Sequence, residues 1–248
     1  MAQAKPKRVK KRSILYGPLT FLIVCAALVF GIGVFFRVSE IEVVGASYYT
    51  AEEIIDASGI EAGDNLFFIN RFNAYSRIYA KLPYISGVAI SRSLPNRVVI
   101  EVTEGRAIAC VRNEGDYWLI DESCKILDSV DAADAQSVIN VTGLTPASPV
   151  VGETLTAETG DGTVVQFLAD VLSAMSNLGI DGDVTYIDMT NVTDPTFDYL
   201  GRFTVKLGRD DSVQYKLELM LSAVQQLGEG DEGLLDLSID NKVHFSPY

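Results

Sequence analysis

The chain has 248 residues, a formal net charge of −13, one histidine and three cysteines. The first 12 residues hold six bases and no acid, so everything after them sums to −19. Acidity on that scale excludes a nucleic-acid backbone as partner, because phosphate binding rests on basic side chains; a single histidine likewise gives a zinc site or a Ser-His-Asp system little to build on.

Lys5, Lys7, Arg8, Lys10, Lys11 and Arg12 make Met1–Ser13 a basic tail, too short to fold and suited to lie on anionic lipid of the inner leaflet. Ile14 to Phe36 follows without a charged residue, and roughly 23 apolar positions are enough to cross a bilayer as a helix. The positive-inside rule keeps the tail in the cytoplasm and sends Val38–Tyr248 across, with Arg37 free to reach the outer headgroups. The apolar run exceeds a typical signal-peptide core, so an uncleaved single-pass anchor is expected. Cys25, inside it, serves as a small apolar residue.

Beyond the anchor, Val38–Val44 alternates as a half-buried strand, with Ile41 and Val43 on one side and Glu40 and Glu42 on the other. Thr50-Ala51-Glu52-Glu53 is a capping box that opens a short helix, and Gly59 closes it. A second helix carries Phe72, Tyr75, Tyr79 and Leu82 on one face and stops at Pro83. Val88–Ser91 and Arg97–Thr103 read as strands around a Leu94-Pro95-Asn96 turn, with Val98, Ile100 and Val102 facing a core. The order is β-α-α-β-β.

Ala107–Arg112 and Tyr117–Asp121 then form a predicted hairpin, followed by an extended Lys125–Leu127. Cys110 and Cys124 flank this hairpin. A disulfide is permitted outside the cytoplasm, but the register does not favour one, and free, partly buried thiols are the expectation. Thr163–Leu178 is an amphipathic helix capped by Gly179. Val184–Met189 and Arg202–Leu207 read as strands. Ser212 opens a further helix whose buried side holds Val213, Leu217, Met220, Leu221, Val224 and Leu227. Leu234–Ile239 and Lys242–Phe245 are the last extended pieces, either two strands or one bent at Asp240-Asn241.

The ordered set Ile41-Glu42-Val43-Val44-Gly45, Glu52-Glu53-Ile54-Ile55, Gly63-Asp64-Asn65-Leu66-Phe67, Leu82-Pro83-Tyr84-Ile85, Arg92-Ser93-Leu94-Pro95-Asn96 and Ile100-Glu101-Val102-Thr103-Glu104 resembles the POTRA domain of the FtsQ/DivIB family of bacterial cell-division proteins. Val205-Lys206-Leu207-Gly208, Lys216-Leu217 and Leu235-Asp236-Leu237-Ser238 are similar to the rest of that pattern, so the resemblance runs from Arg37 to Tyr248. It implies an α+β chain: cytoplasmic tail 1–13, transmembrane helix 14–36, POTRA domain 37–105, and a second α+β domain with a mostly antiparallel sheet at 106–248.

The function implied is a non-enzymatic scaffold at the division septum. It binds FtsB/DivIC-type and FtsL-type partners outside the membrane and supports septal peptidoglycan synthesis. The family's partner edge is the last strand, which maps here onto Leu237, Ile239, Lys242, Val243 and Phe245. An alternative is a POTRA-containing chaperone or transport accessory, although repeated POTRA units and a β-barrel are lacking.

No catalytic, metal or cofactor set emerges, and no small-molecule substrate is expected. Asp181-Gly182-Asp183 has the first spacing of a calcium loop without its later ligands and reads as a turn. Asp210-Asp211 suits a helix N-terminus, and His244 sits in a terminal extended segment as a structural residue.

Overall fold

A computed structural model describes residues 13–208, 212–239 and 242–248, with side chains from residue 17 onward. The basic tail at 1–12, the Asp210-Asp211 pair and the expected bend at Asp240-Asn241 lie outside the described residues. The apolar segment is one helix, α1 (Ser13–Phe35). By length and composition its Gly17–Phe35 portion can cross a membrane. The chain divides into two compact units, one running to Ile78 and resuming at Gly87–Thr103, the other comprising Tyr79–Ser86 and Glu104–Tyr248.

The first sheet is built from β1 (Glu40–Val44), β2 (Ile85–Ser93) and β3 (Arg97–Glu104) in the order β1-β3-β2. β1 and β3 run parallel, with Ile41 opposite Val98 and Val43 opposite Ile100. Val98 and Ile100 are fully buried, as the alternation predicts. Gly45 ends β1 at φ +90°, where a Cβ would strike the Val102 carbonyl, so only glycine fits between the strands.

Two helices complete this part, α2 (Ala51–Ser58) and α3 (Arg71–Lys81). The capping box of α2 is present on both sides: the Glu53 amide donates to the Thr50 hydroxyl, and the Thr50 amide donates to the Glu53 carboxylate at 2.8 Å. Gly59 closes the helix in the left-handed conformation.

The buried face of α3 is made of small and aliphatic residues, not of the aromatic ones that share a face. Ala74 and Ile78 are buried, with Leu82 just beyond the helix, whereas Phe72 is 75% exposed and Tyr79 lies near the surface. Tyr75 is half-buried because its hydroxyl accepts from the Ile90 amide. Small and aliphatic side chains let the helix approach the sheet more closely than a row of aromatic rings would.

Among the described residues the second unit forms a nine-stranded sheet. Its strands are β4 (Ala109–Asn113), β5 (Asp116–Ile120), β6 (Ile126–Val130), β7 (Ile139–Thr142), β8 (Tyr186–Asp188), β9 (Thr196–Tyr199), β10 (Phe203–Lys206), β11 (Gly233–Asp236) and β12 (His244–Pro247). The spatial order is β12-β11-β10-β9-β8-β7-β4-β5-β6. β10–β11, β4–β7 and β7–β8 pair in parallel and the other neighbours antiparallel, so the sheet is mixed with antiparallel pairs prevailing. β9 is an element that sequence alternation does not separate from its loop.

Two helices, α4 (Gly162–Leu178) and α5 (Val213–Val224), supply apolar faces to the core. α4 buries Phe167, Leu168, Val171, Leu172 and Met175, starts at an Asp161 side-chain cap and ends at left-handed Gly179. α5 buries Val213, Leu217 and Met220, together with Lys216. Ser212 precedes α5 without making a side-chain cap bond.

Cys110 and Cys124 are both free and buried. Burial pushes the Cys110 thiol up to about 11. Burial, helped by Asp121 and Asp170, pushes Cys124 up to about 12. Since the thiolate is the reactive form, both thiols should resist alkylation in the native chain and label fully once it is unfolded. Mass spectrometry of non-reduced protein checks this; a Cys110–Cys124 peptide pair would contradict it.

The capping box gives a second test. Bonds from the Thr50 amide and hydroxyl hold the Glu53 carboxyl below its usual 4.5. A lowered pKa means the contribution is complete above 4.5 and lost as pH falls through the folded-state value. Amide protection in α2 should therefore drop selectively in acid, and Thr50→Ala should lower the unfolding free energy by about 1 kcal/mol in denaturant titrations.

Candidate partner-binding edge

A sheet that does not close leaves a row of main-chain groups at each end. At the β6 end that row is partly covered by the chain itself. The Ile126 amide donates to the Glu153 carbonyl, the Gly152 amide to the Ile126 carbonyl, and the Leu155 amide to the Cys124 carbonyl, each at 2.8 Å. At the other end β12 pairs with β11 on one side, and no strand follows it among the described residues.

The register decides which groups β12 presents. β11 and β12 pair antiparallel, with Leu235 opposite Phe245 and Asp236 opposite His244. The Tyr248 amide donates to the Glu232 carbonyl at 3.3 Å, which makes that pair a hydrogen-bonded one. Such pairs alternate along an antiparallel ladder. His244 and Ser246 therefore direct their main chain toward β11, while Phe245 and Pro247 direct theirs away from the sheet. Carried one step back, the same alternation aims Val243 outward. Pro247 has no N–H to offer at its outward position, which is where an edge strand tolerates proline.

Side-chain direction follows the same parity. Phe245 lies in register with Leu235 and Val205 on the face packed by the helices, and its ring meets Phe203 edge-on at 6.2 Å. Val243 also packs half-buried against this core. His244 and Ser246 are exposed on the opposite face, where the Tyr248 hydroxyl donates to Thr204 Oγ1 at 2.7 Å.

Of the residues expected at a partner edge, Lys242 and Ile239 are exposed, and Val243 and Phe245 combine an outward main chain with a side chain turned to their own core. Leu237 is different. Its side chain is 2% exposed and its amide donates to the Lys206 carbonyl at 2.8 Å, so both its side chain and its N–H are used internally. The parallel β10–β11 pairing draws it inward, so Leu237 is a core position in the unbound chain. The reading of the two last pieces as one bent strand is likewise replaced by an antiparallel pair.

Three devices hold β11 and β12 in place. The Arg202 guanidinium donates to the carbonyls of Gly228, Glu229 and Asp231, the shortest at 2.6 Å, and so fixes the approach to β11. Lys216, almost fully buried in α5, donates from Nζ to the Leu207 carbonyl at 2.7 Å, beside Gly208 where the backbone passes close to Ser238. At Gly233 a Cβ would strike the Ser246 carbonyl and come within 2.8 Å of the Phe245 ring. Near this end Asp236 is held below the usual carboxylate range: burial opposes the shift, but Ser238 donors and the Lys206 and His244 charges outweigh it.

Among the described residues no group of three metal-ligating side chains converges. Asp181 is the partner of Arg106 at 2.6 Å, and that hydrogen bond lowers its pKa.

A model of the FtsQ-type POTRA domain matches residues 36–104. The cell division protein DivIB of Clostridium botulinum is 28% identical over 243 residues, covering 97% of this chain and 92% of that protein. DivIB of Clostridium acetobutylicum is 24% identical over 213 residues, covering 86% and 83% respectively. The cell division protein FtsQ of Corynebacterium glutamicum is 29% identical over 116 residues, covering 46% of this chain and 52% of that protein.

Gly233→Ala should lift β12 from the sheet without unfolding the unit. Hydrogen exchange is expected to lose protection at His244 and Ser246 while α4 keeps its own. Phe245→Ala should lower the unfolding free energy by about 1–2 kcal/mol, as expected for a half-buried aromatic ring. An unchanged denaturation midpoint would contradict the packing of Phe245 against Phe203.

Proposed function

Because the chain belongs to the FtsQ/DivIB family of bacterial cell-division proteins, we propose that it is a non-enzymatic, membrane-anchored scaffold whose terminal strand accepts a strand from a division partner. The family carries the role in cell division, and α1 with the family fits a single-pass membrane protein. The finer reading puts the basic tail in the cytoplasm against anionic lipid and the two folded units outside, at the septum. There the chain binds FtsB/DivIC-type and FtsL-type proteins and so supports the synthesis of septal peptidoglycan.

The observation that carries this reading is the outward main chain of Phe245 on a strand with a neighbour on one side. Added strands gain affinity from main-chain bonds and register from alternating side chains. The partner would meet amide donors at Val243 and Phe245 and carbonyl acceptors at Val243, Phe245 and Pro247. Exposed Lys242 and Ile239 flank them. Leu237 drops out of the contact set.

Backbone pairing tolerates a change of side chain but not the loss of a donor. Val243→Pro should weaken capture of a DivIC-type partner roughly tenfold, since one lost bond of about 1–1.5 kcal/mol is worth that factor. Val243→Ala should be nearly silent. Equal capture by the two variants, with folding verified, would move the interface off β12.

A further inference from the structure

We propose that the loop after Asn65, with Phe67 and Phe68 at its tip, is a second membrane contact that seats in the leaflet where α1 ends. The inference rests on the reading of α1 as a membrane span. Both rings are exposed, Phe68 at 78%, and so is Leu94 in the β2–β3 turn. Exposed phenyl rings call for an apolar surrounding, and the main chain specifies where these lie.

A short antiparallel ladder ties this loop to the exit of α1. The Leu66 amide donates to the Phe36 carbonyl and the Val38 amide to the Asp64 carbonyl, each at 2.8 Å, with Arg37 opposite Asn65. In an antiparallel ladder, going forward from Leu66 means going back along α1. Phe67 and Phe68 are therefore level with the last turn of the helix rather than beyond it. The Phe67 ring meets Phe36 edge-on at 5.0 Å. The Asn65 side-chain Nδ2 donates to the Ile32 carbonyl at 2.9 Å, one of the last carbonyls of the helix.

The β2–β3 turn is held at the same end. The Ser39 amide donates to the Asn96 carbonyl at 2.9 Å, and the Asn96 amide nitrogen to Ser39 Oγ at 2.6 Å. Arg92 braces the loop by donating to the Ile69 carbonyl at 3.1 Å. Exposed Arg37 and Arg92 stand beside the apolar tips, the arrangement an interface of acyl chains and anionic headgroups requires. The bilayer is the occupant these ties select, because a helix in the membrane brings its own flanking loop to the membrane surface.

The test uses the full chain in vesicles of zwitterionic and anionic phospholipid. Trp118 is the chain's one tryptophan, so replacing it leaves a single reporter to be placed at will. A Trp118→Phe, Phe68→Trp variant moves the fluorophore to the loop. Its emission should be blue-shifted and strongly quenched by lipids brominated near the headgroup end of the acyl chains. Carbonate extraction reports the span separately. An extraction-resistant chain with an unquenched, water-exposed Trp at position 68 overturns the inference alone. A chain released by carbonate overturns the anchor reading and the inference with it. Emission shielded only after a partner protein is added overturns the lipid assignment.

Discussion

Main-chain hydrogen bonding in an open sheet is the constraint on which the second unit depends. Among the described residues nine strands lie in one sheet with a row of main-chain groups at each end, and a buried or half-buried peptide group cannot stay without a partner at low cost. One row is partly taken up by the segment around Gly152–Leu155. The other belongs to β12. Its parity is shown by the bond at the far end, from the Tyr248 amide to the Glu232 carbonyl. In that register Ser246 and His244 face inward by their backbone, and Phe245 outward by its backbone but inward by its ring. The edge is thereby made stiff by its side chains and available through its peptides, the combination that strand addition needs.

The neighbouring elements serve that edge. Arg202 gathers three carbonyls of the turn before β11, and its guanidinium lies 4.8 Å from the Phe203 ring centroid, over the ring that Phe245 touches. Lys216 joins α5 to the end of β10 through the Leu207 carbonyl. Lys216 and Gly208 lie in segments that resemble the family pattern, and their roles are structural: a buried ammonium on a carbonyl, and a glycine where backbones nearly touch. In the first unit Gly45 plays the corresponding part beside Val102.

Much of this is legible in the sequence where the cause is local. The Thr50–Glu53 box, the left-handed glycines Gly59 and Gly179, and the alternation Val98-Ile100-Val102 each depend on residues a few positions apart, and each is found as read. What sequence reading misses depends on distant partners. The face of α3 is chosen by how closely the sheet lets a helix approach, which favours Ala74 and Ile78 over Phe72 and Tyr79. Leu237 and Phe245 look equivalent in an alternating segment, yet the parallel pairing with β10 buries one amide and the antiparallel pairing with β11 frees the other. The tie between Leu66 and Phe36 is equally silent, because nothing in either stretch names the other.

The outward peptides of the last strand are the docking site proposed for the partner. Residue-resolved hydrogen exchange on the chain, alone and with an FtsB/DivIC-type protein, tests it most directly. In the free chain the His244 and Ser246 amides should be protected while the Val243 and Phe245 amides exchange freely, and the partner should protect the latter pair. Binding that leaves the Phe245 amide as fast as before, with new protection on β1 or β2 instead, would contradict it.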